Sequence, residues 1–462
     1  MKFCFTLTAT LLLGAVSLEA HAQQQPWLAD RRAGEGIGVR VGDLELHPGV
    51  AGELGYDSNY FLRSTGDAFK PDAAYRIRIT PSLTLSTLGP LRRSEGASAA
   101  APTKLAFRAG AYVSYNELIA ADSKNSSEFS QQRHLDIGSD LALQIAPVGR
   151  AGADLYLNFV RMIQPSNDPD TENAFNRDTL RAGAGATWRP GGGLFSWRLG
   201  YEFLYNYFEK TGFRSLNNYQ NQVNLRGRWR FLPRTALVYD GSYTWINYAN
   251  SSATSVQNDG AIVRSRIGLN GLVTTRFALL GMVGWAGTFY DAKATQPPRQ
   301  FDSVTGQAEL KWFIDGGAGA ANAESAPVGL SYASLGYTRD VGNSYLGNFY
   351  QKDRGYLGFS YLLGGVFVAN LSAGIANLRF PESYFPSGDL QHAAFSEQRF
   401  DASLFGEYRL SNTFGLNATV NYDQNITGVV IPSTLQEKTS GVGGDHLDFS
   451  RWQIFLGARY FL

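Results

Sequence analysis

The chain has 462 residues, of which 13% are aromatic, 18% are charged and 51 are glycine. Its formal net charge of +1 says little about partners, and nothing in the sequence predicts nucleic-acid binding. The single cysteine, Cys4, lies in the N-terminal apolar run, so the chain after that run cannot form disulfides or thiolate metal sites, or carry out thiol catalysis. No later run approaches the roughly 18 consecutive apolar residues that a membrane helix needs.

The N-terminus has the pattern of a secretory signal peptide. Lys2 precedes an apolar run over 3–16, and the small-x-small sequence Ala20-His21-Ala22 follows it. We therefore expect residues 1–22 to be removed and the exported chain to begin near Gln23. Residues 23–45 are predicted to form a short periplasmic segment.

From residue 46 onward, apolar and polar residues alternate in segments of about ten, which is typical of β-strands with one face toward lipid and the other toward water. The clearest segment sets Val223, Leu225 and Trp229 against Gln222 and Arg226. The fold class predicted for 46–462 is all-β, a transmembrane antiparallel up-and-down β-barrel of about 18 strands, with 16 as the alternative. The predicted strands are 46–56, 75–87, 105–115, 134–145, 151–160, 178–189, 194–207, 219–231, 236–248, 260–273, 277–290, 302–314, 328–339, 350–363, 366–377, 398–410, 413–423 and 447–462.

The connections between these strands alternate in length. Short turns mostly follow the even-numbered strands, whereas the long polar loops 160–177, 378–396 and 424–446 follow odd-numbered ones. Bacterial barrels have short periplasmic turns and long extracellular loops, so both termini are expected in the periplasm. Two predicted turns, 89–103 and 315–327, are longer than is usual for that side.

The two faces of the predicted strands differ in chemistry. Aromatic residues on the outward face are candidates for the girdles at the membrane surfaces. They are Tyr201, Tyr205, Tyr207, Tyr239, Tyr243, Trp245, Tyr290, Trp312, Tyr361 and Tyr460. The inward face is rich in arginine, and the candidates for pore-lining residues are Arg76, Arg78, Arg226, Arg228, Arg230, Arg264 and Arg266. The last five form the densest cluster, with too few acids nearby, and are the best candidates for contact with anionic or polyhydroxylated solutes. The alternative, which is favoured for any single arginine, is a structural ion pair with an acid on a neighbouring strand.

Catalysis and cofactor binding have little support in the sequence. His134 with Asp136, and His446 with Asp448, could each be part of a hydrolytic or metal site, but two groups do not complete either one. Phosphate-binding, dinucleotide and zinc motifs are absent. We therefore expect no enzyme activity, no catalytic or metal residues and no cofactor.

The segment Trp452 to Leu462 alternates Trp452, Ile454, Leu456 and Tyr460 with inward residues. This pattern resembles the C-terminal strand of outer-membrane barrels of Gram-negative bacteria. The resemblance implies that Tyr460 and Leu462 face lipid and form the assembly signal for the barrel-assembly machinery, and that this strand closes the barrel against the first one. Outer-membrane lipid would then be the surrounding medium.

The segments Val41–Pro48 and Leu54–Asn59, which include Asp57-Ser58-Asn59, resemble the opening of a family of bacterial outer-membrane β-barrel porins. Members of that family are similar to the barrels of exopolysaccharide export systems. The resemblance implies a conduit for polysaccharide export that works with a separate periplasmic export protein. Two alternatives are a passive diffusion porin for small anionic or sugar solutes and a structural or adhesive surface barrel. A lumen plugged by Tyr112, Tyr156 and Phe208 would favour the structural barrel.

Overall fold

The architecture is described from a computed structural model of the chain, which covers residues 38–66, 70–87, 104–163, 175–250, 257–291, 299–314, 331–385, 387–431 and 445–462. The predicted signal peptide and most of the predicted periplasmic segment lie outside these residues. So do the two long turns near 89–103 and 315–327 and parts of the loops 160–177, 378–396 and 424–446.

Eighteen antiparallel strands form a closed sheet, which confirms the predicted barrel. They are β1 Leu44–Asp57, β2 Ala74–Thr87, β3 Leu105–Ala120, β4 His134–Ile145, β5 Ala151–Met162, β6 Arg177–Trp188, β7 Phe195–Phe208, β8 Asn218–Leu232, β9 Thr235–Tyr248, β10 Gly260–Leu272, β11 Phe277–Tyr290, β12 Asp302–Phe313, β13 Tyr332–Asn343, β14 Phe349–Leu363, β15 Phe367–Phe380, β16 Phe395–Arg409, β17 Phe414–Ile426 and β18 Phe449–Phe461. Short elements lie beside them: strands Val39–Val41, Ser383–Tyr384, Leu390–His392, Val430–Ile431 and Asp445–His446, α1 Ser126–Ser130, and 3₁₀ turns Ser123–Asn125, Gly191–Gly193 and Thr211–Leu216.

The sheet closes between its first and last strands. β1 pairs with β18 from Gly49 opposite Phe461 to Asp57 opposite Gln453, and β18 pairs on its other side with β17. The backbone N–H of Leu462 donates to the carbonyl of Pro48 at 3.1 Å. Each of the eighteen strands therefore has two hydrogen-bonded neighbours, and the barrel has no open edge.

The outer face of the barrel is apolar. Leu54, Leu335 and Leu456 are each more than 60% exposed, in the middle of strands whose alternate residues point into the barrel. Such a surface is suited to lipid rather than to water. None of the described helices is long and apolar enough to cross a membrane.

Nine of the ten predicted girdle residues lie on the outward face, but the prediction for Tyr290 is wrong. β11 exposes Trp285 and Phe289, so the next residue, Tyr290, turns into the barrel and is only 6% exposed. Its hydroxyl donates to the carbonyl of Asn348, and its ring stacks on Phe349. The physical reason is that successive side chains of a strand point to opposite faces of the sheet, so Tyr290 faces the lumen when Phe289 faces outward.

The connections divide the barrel into two ends. We call the end that carries the connections after odd-numbered strands the loop end, and the other the turn end. Most turn-end connections are short, such as 233–234 and 364–366, whereas 381–394 and 427–448 at the loop end are long. β13 runs from Tyr332 to Asn343, four residues later at both ends than the predicted 328–339, so Asp340 lies within the strand.

Candidate functional site

The inward face of β8 is polar along its whole length. Its inward residues alternate with the exposed Val223, Leu225 and Trp229. From the loop end to the turn end they are Asn218, Gln220, Gln222, Asn224, Arg226, Arg228 and Arg230. The structure therefore places the three predicted arginines on the wall of the lumen, below a row of four amides.

Three of the five clustered arginines have carboxylate partners. Asp240 accepts from Arg226 at 3.3 Å and from Arg266 at 2.9 Å, and Asp340 lies 2.9 Å from Arg264 and 3.5 Å from the second nitrogen of Arg266. The expectation of too few acids is therefore wrong for these three arginines. Sequence reasoning missed Asp340 because the predicted strand ended at residue 339, and because Asp340 is three strands away from β10.

Arg228 and Arg230 differ from the other three arginines. The Nε and Nη2 of Arg230 donate to the carbonyl of Gly193 at 3.1 and 2.8 Å. Arg228 is exposed and forms no hydrogen bond or ion pair with any described residue. The charged side chain that acts on it is another cation, Arg230. The lumen wall near the turn end is therefore electropositive at Arg228.

The two remaining predicted arginines, Arg76 and Arg78, are each only 5% exposed. Arg78 lies 3.0 Å from a carboxylate oxygen of Glu53, and its guanidinium stacks 3.7 Å above the ring of Phe455. Arg76 lies 3.4 Å from Asp57. The structure therefore assigns both to the packed inner wall where the barrel closes, and not to a surface that a solute can reach.

Asp57 is the centre of this closing seam. Its carboxylate, fully buried, accepts hydrogen bonds from two nitrogens of Arg451, one of them at 2.9 Å, and from the amide of Gln453 at 2.9 Å. Because Arg451 and Gln453 belong to β18 and Arg76 to β2, one carboxylate links three strands across the closure. Asn59 extends the seam by donating to the carbonyl of Ser450 at 3.1 Å.

Elsewhere, long inward side chains reach across an intervening strand to an acid, and a glycine lies beneath them. Arg198 on β7 binds Asp154 on β5 at 2.9 and 2.5 Å, above Gly185 on β6. Any Cβ at Gly185 would overlap the guanidinium. The same arrangement, which we call a glycine brace, recurs as Arg354 to Asp401 above Gly374, Tyr356 to Glu309 above Gly336, and Tyr156 to Glu202 above Gly183.

The glycine braces hold side chains flat against the wall. Tyr156 lies over Gly183 in this way, and Tyr112 lies over Gly138. Neither ring packs into the centre of the lumen. Phe208, the third predicted plug residue, is fully buried near the loop end.

Water reaches the charged wall away from the seam. The side chains of Asp154, Asp240 and Asp401 keep 26%, 27% and 30% of their surface exposed, whereas those of Asp57 and Glu53 keep 0% and 1%. Charges with that much exposed surface stay hydrated. The described lumen wall therefore has a dry seam, hydrated carboxylates on β5, β9 and β16, and a buried apolar cluster on β9 to β14 that includes Ile246, Tyr290 and Phe349.

Several described loop segments fold inward at the loop end. Tyr60 and Phe61 pack with Phe129 of α1 on the inward residue Leu118. On the other side of the mouth, the ring of Tyr345, from the connection after β13, lies 5.4 Å from that of Phe208. These segments narrow the mouth from two sides.

The histidine pairs do not assemble into larger sites. His134 lies 3.7 Å from Asp136, which also accepts from the amide of Asn116, and His446 lies 3.8 Å from Asp448. Among the described residues, no group of three histidines or carboxylates is placed to hold a metal ion.

The two residues of the predicted assembly signal lie at the seam. Tyr460 is 48% exposed on the outer face of β18, and Leu462 follows the strand beside Pro48 of β1. His47 approaches the carbonyl of Leu462 at 3.2 Å. Their role in assembly stays a prediction.

A closed sheet with an apolar outer face and a charged, hydrated inner face defines a transmembrane β-barrel. No protein-family model matches the chain, and no curated protein sequence does so either. The chain is similar in structure to the FrpB iron transporter of Neisseria meningitidis, F5-1 variant (TM-score 0.46, 9% identity, 92% of this chain and 82% of the other covered). It is also similar to OccK5 (OpdH) of Pseudomonas aeruginosa (0.43, 8%, 90% and 98%) and to OccAB4 of Acinetobacter baumannii (0.42, 11%, 90% and 98%). Because these TM-scores are below 0.5, the assignment of the barrel rests on the strand pairing and not on these similarities.

Proposed function

We propose that the protein is an outer-membrane conduit for hydrophilic solutes. The observation that carries this proposal is the charged lumen wall away from the seam, where Asp154, Asp240 and Asp401 remain accessible to water. A wall of hydrated charges provides a polar path across the apolar layer, which a dry core would not. An eighteen-stranded barrel is also wide enough to enclose an aqueous channel.

The proposed orientation has both termini in the periplasm and the loop end at the cell surface. The longer connections at the loop end support it. Cysteine labelling tests this orientation. The single cysteine, Cys4, lies in the predicted signal peptide, so a cysteine introduced elsewhere is expected to be the only thiol of the exported protein. Ser387→Cys, in the connection 381–394, should react with a membrane-impermeant maleimide on intact cells, whereas Ser411→Cys, in the connection 410–413, should react only after the outer membrane is permeabilised. The reverse pattern would invert the orientation.

Single-channel recording in planar bilayers tests the conduit. We expect stepwise conductance from the purified full chain in potassium chloride. A complete lack of conductance at both polarities would refute an intrinsically open conduit. It would remove the diffusion porin and leave either gated export that needs a partner or the structural or adhesive barrel, for which the inward-folded segments around Phe61 and Tyr345 are the specific support.

For the cargo, we propose polysaccharide export with a separate periplasmic partner, and passive diffusion of small anionic or sugar solutes is the alternative. The polysaccharide hypothesis comes from the opening motif, which includes Asp57 and Asn59. Both residues bind β18 residues at the seam, so they stabilise the closed barrel and do not distinguish between the two cargoes. Liposome swelling separates the two. Rapid entry of glucose or gluconate favours the diffusion porin, whereas a channel that conducts ions but excludes these solutes until a partner is added favours gated export.

A further inference from the structure

We infer that the inward face of β8 is a binding track for a hydroxylated anion, with the anionic group at Arg228 and a hydroxyl group at Gln222. This inference rests on the proposed conduit and specifies the solute that its wall recognises. The ligand class is a sugar acid or a sugar phosphate, because both combine an anionic group with a row of hydroxyls. The track differs from the five-arginine cluster that the sequence predicts.

The arginines near the track differ in whether they have a carboxylate partner, and this difference determines where an anion binds. Arg226 shares Asp240 with Arg266, and Arg264 and Arg266 share Asp340, so two carboxylates compensate most of the charge of these three arginines and each arginine has a partner. Arg228 is exposed and has no partner among the described residues. A guanidinium presents a fork of N–H donors that matches a carboxylate or a phosphate. Arg228 is thus the position on β8 where an incoming anion gains most.

The hydroxyl-binding end of the track is Gln222, an amide on the inward face of β8. Gln222 is half-buried and forms no hydrogen bond with any described residue. Asn224, by contrast, is only 7% exposed and accepts from Arg198 at 3.0 Å through its carbonyl oxygen, so it belongs to the packed wall and not to the track. A primary amide both donates and accepts, as a hydroxyl group requires of its partner.

Neighbouring strands give the track a direction and leave it accessible. Arg228 lies between Ser196 and Val238, so uncharged side chains shorter than its own flank it. Gln222 lies beside Glu202, a carboxylate that already has Arg181 as its partner at 3.6 Å, so no unpaired cation attracts an anion there. The anionic group is therefore favoured toward the turn end and the neutral hydroxyls toward the loop end.

The spacing indicates the size of the solute. Six residues separate Gln222 from Arg228. At about 3.3 Å per residue this separation is roughly 20 Å along the strand, and the long Arg228 and Gln222 side chains can close part of it. An acid of at least disaccharide length is therefore needed to engage both groups, whereas a single sugar acid engages Arg228 alone.

Current block by lactobionate, a sugar acid of disaccharide length, tests the track. Lactose, acetate and glucose 6-phosphate serve as the neutral, the hydroxyl-free and the phosphate-bearing probes. We expect lactobionate to block at lower concentration than lactose or acetate. Arg228→Ser should raise its half-blocking concentration about tenfold, which is the effect of one charge-assisted hydrogen bond. Gln222→Leu should raise it by about fivefold or less and leave the acetate value unchanged.

Lys311→Ser is the matched control, because Lys311 is a partly exposed lumen cation on β12, 34% exposed, outside the track. It should alter ion selectivity without altering the lactobionate block. If Arg228→Ser and Lys311→Ser have equal effects, or if lactobionate and acetate block equally, the track is refuted while the conduit stands. If glucose 6-phosphate blocks more tightly than lactobionate, the ligand is the phosphate-bearing member of the class.

Calorimetric binding of lactobionate to the detergent-solubilised full chain tests the track without requiring an open channel. Binding by the wild type that Arg228→Ser weakens, in a protein without conductance, would support the track and refute the open conduit. An absence of binding by the wild type refutes the track whatever the conductance.

Discussion

Replacement of Asp57 by alanine should destabilise the barrel more than any exposed charge replacement. Asp57 is fully buried, and its removal leaves Arg451 and Arg76, 3% and 5% exposed, without their main anionic partner. Breaking a buried ion pair by removing one partner costs about 3 to 5 kcal/mol. We therefore expect a loss of that size in the free energy of unfolding.

Urea titration of the protein folded in lipid vesicles, followed by tryptophan fluorescence, measures this loss. Glu382→Ala is the control, because its partner Arg299 is 67% exposed, and we expect it to cost less than about 1 kcal/mol. The double variant Asp57→Ala/Arg451→Ala should cost less than the sum of its single variants, since the residues are in contact. A loss below about 1 kcal/mol for Asp57→Ala, or strict additivity with Arg451→Ala, would refute the role of the carboxylate in closing the barrel.

Three further predictions address the wall, the lipid face and assembly. Gly183→Leu should push Tyr156 off the wall and lower the free energy of unfolding, measured by urea titration, by about 1 to 3 kcal/mol. Gly281→Leu, which has open space at its Cβ, should be tolerated, and equal costs for the two variants would argue against the glycine braces. Leu335→Arg should cost about 2 to 4 kcal/mol, and Leu105→Arg at a strand end about 0 to 1; a cost independent of position would contradict the assigned lipid face. Tyr460→Ser should lower the yield of heat-modifiable folded protein when the assembly machinery is present, and should leave spontaneous folding into lipid vesicles nearly unchanged. Equal losses of folded protein in the two experiments would indicate a purely structural role for Tyr460.

Alternation in the sequence determined most of the architecture. The period of two is a local property of each strand, so the number of strands, the faces of β8 and the lipid-facing side of β18 follow from reading residues in order. The alternating connection lengths likewise distinguished the two ends of the barrel. Tyr290 is a case in which the local rule was sufficient but was applied to the wrong parity.

Only the tertiary structure decided which inward charges are compensated. Alternation does not specify where a strand begins and ends or how far it is staggered against its neighbours, so β13 was predicted to end at residue 339 instead of Asn343 and Asp340 was left out of the wall. Partners such as Arg198 and Asp154 lie two strands apart, and Arg264 and Asp340 lie three apart, separations that no local pattern encodes. Whether Arg228 lacks a partner among the described residues while Arg226 has one depends on that stagger, because Coulomb attraction acts between positions in space and the sequence records only their order.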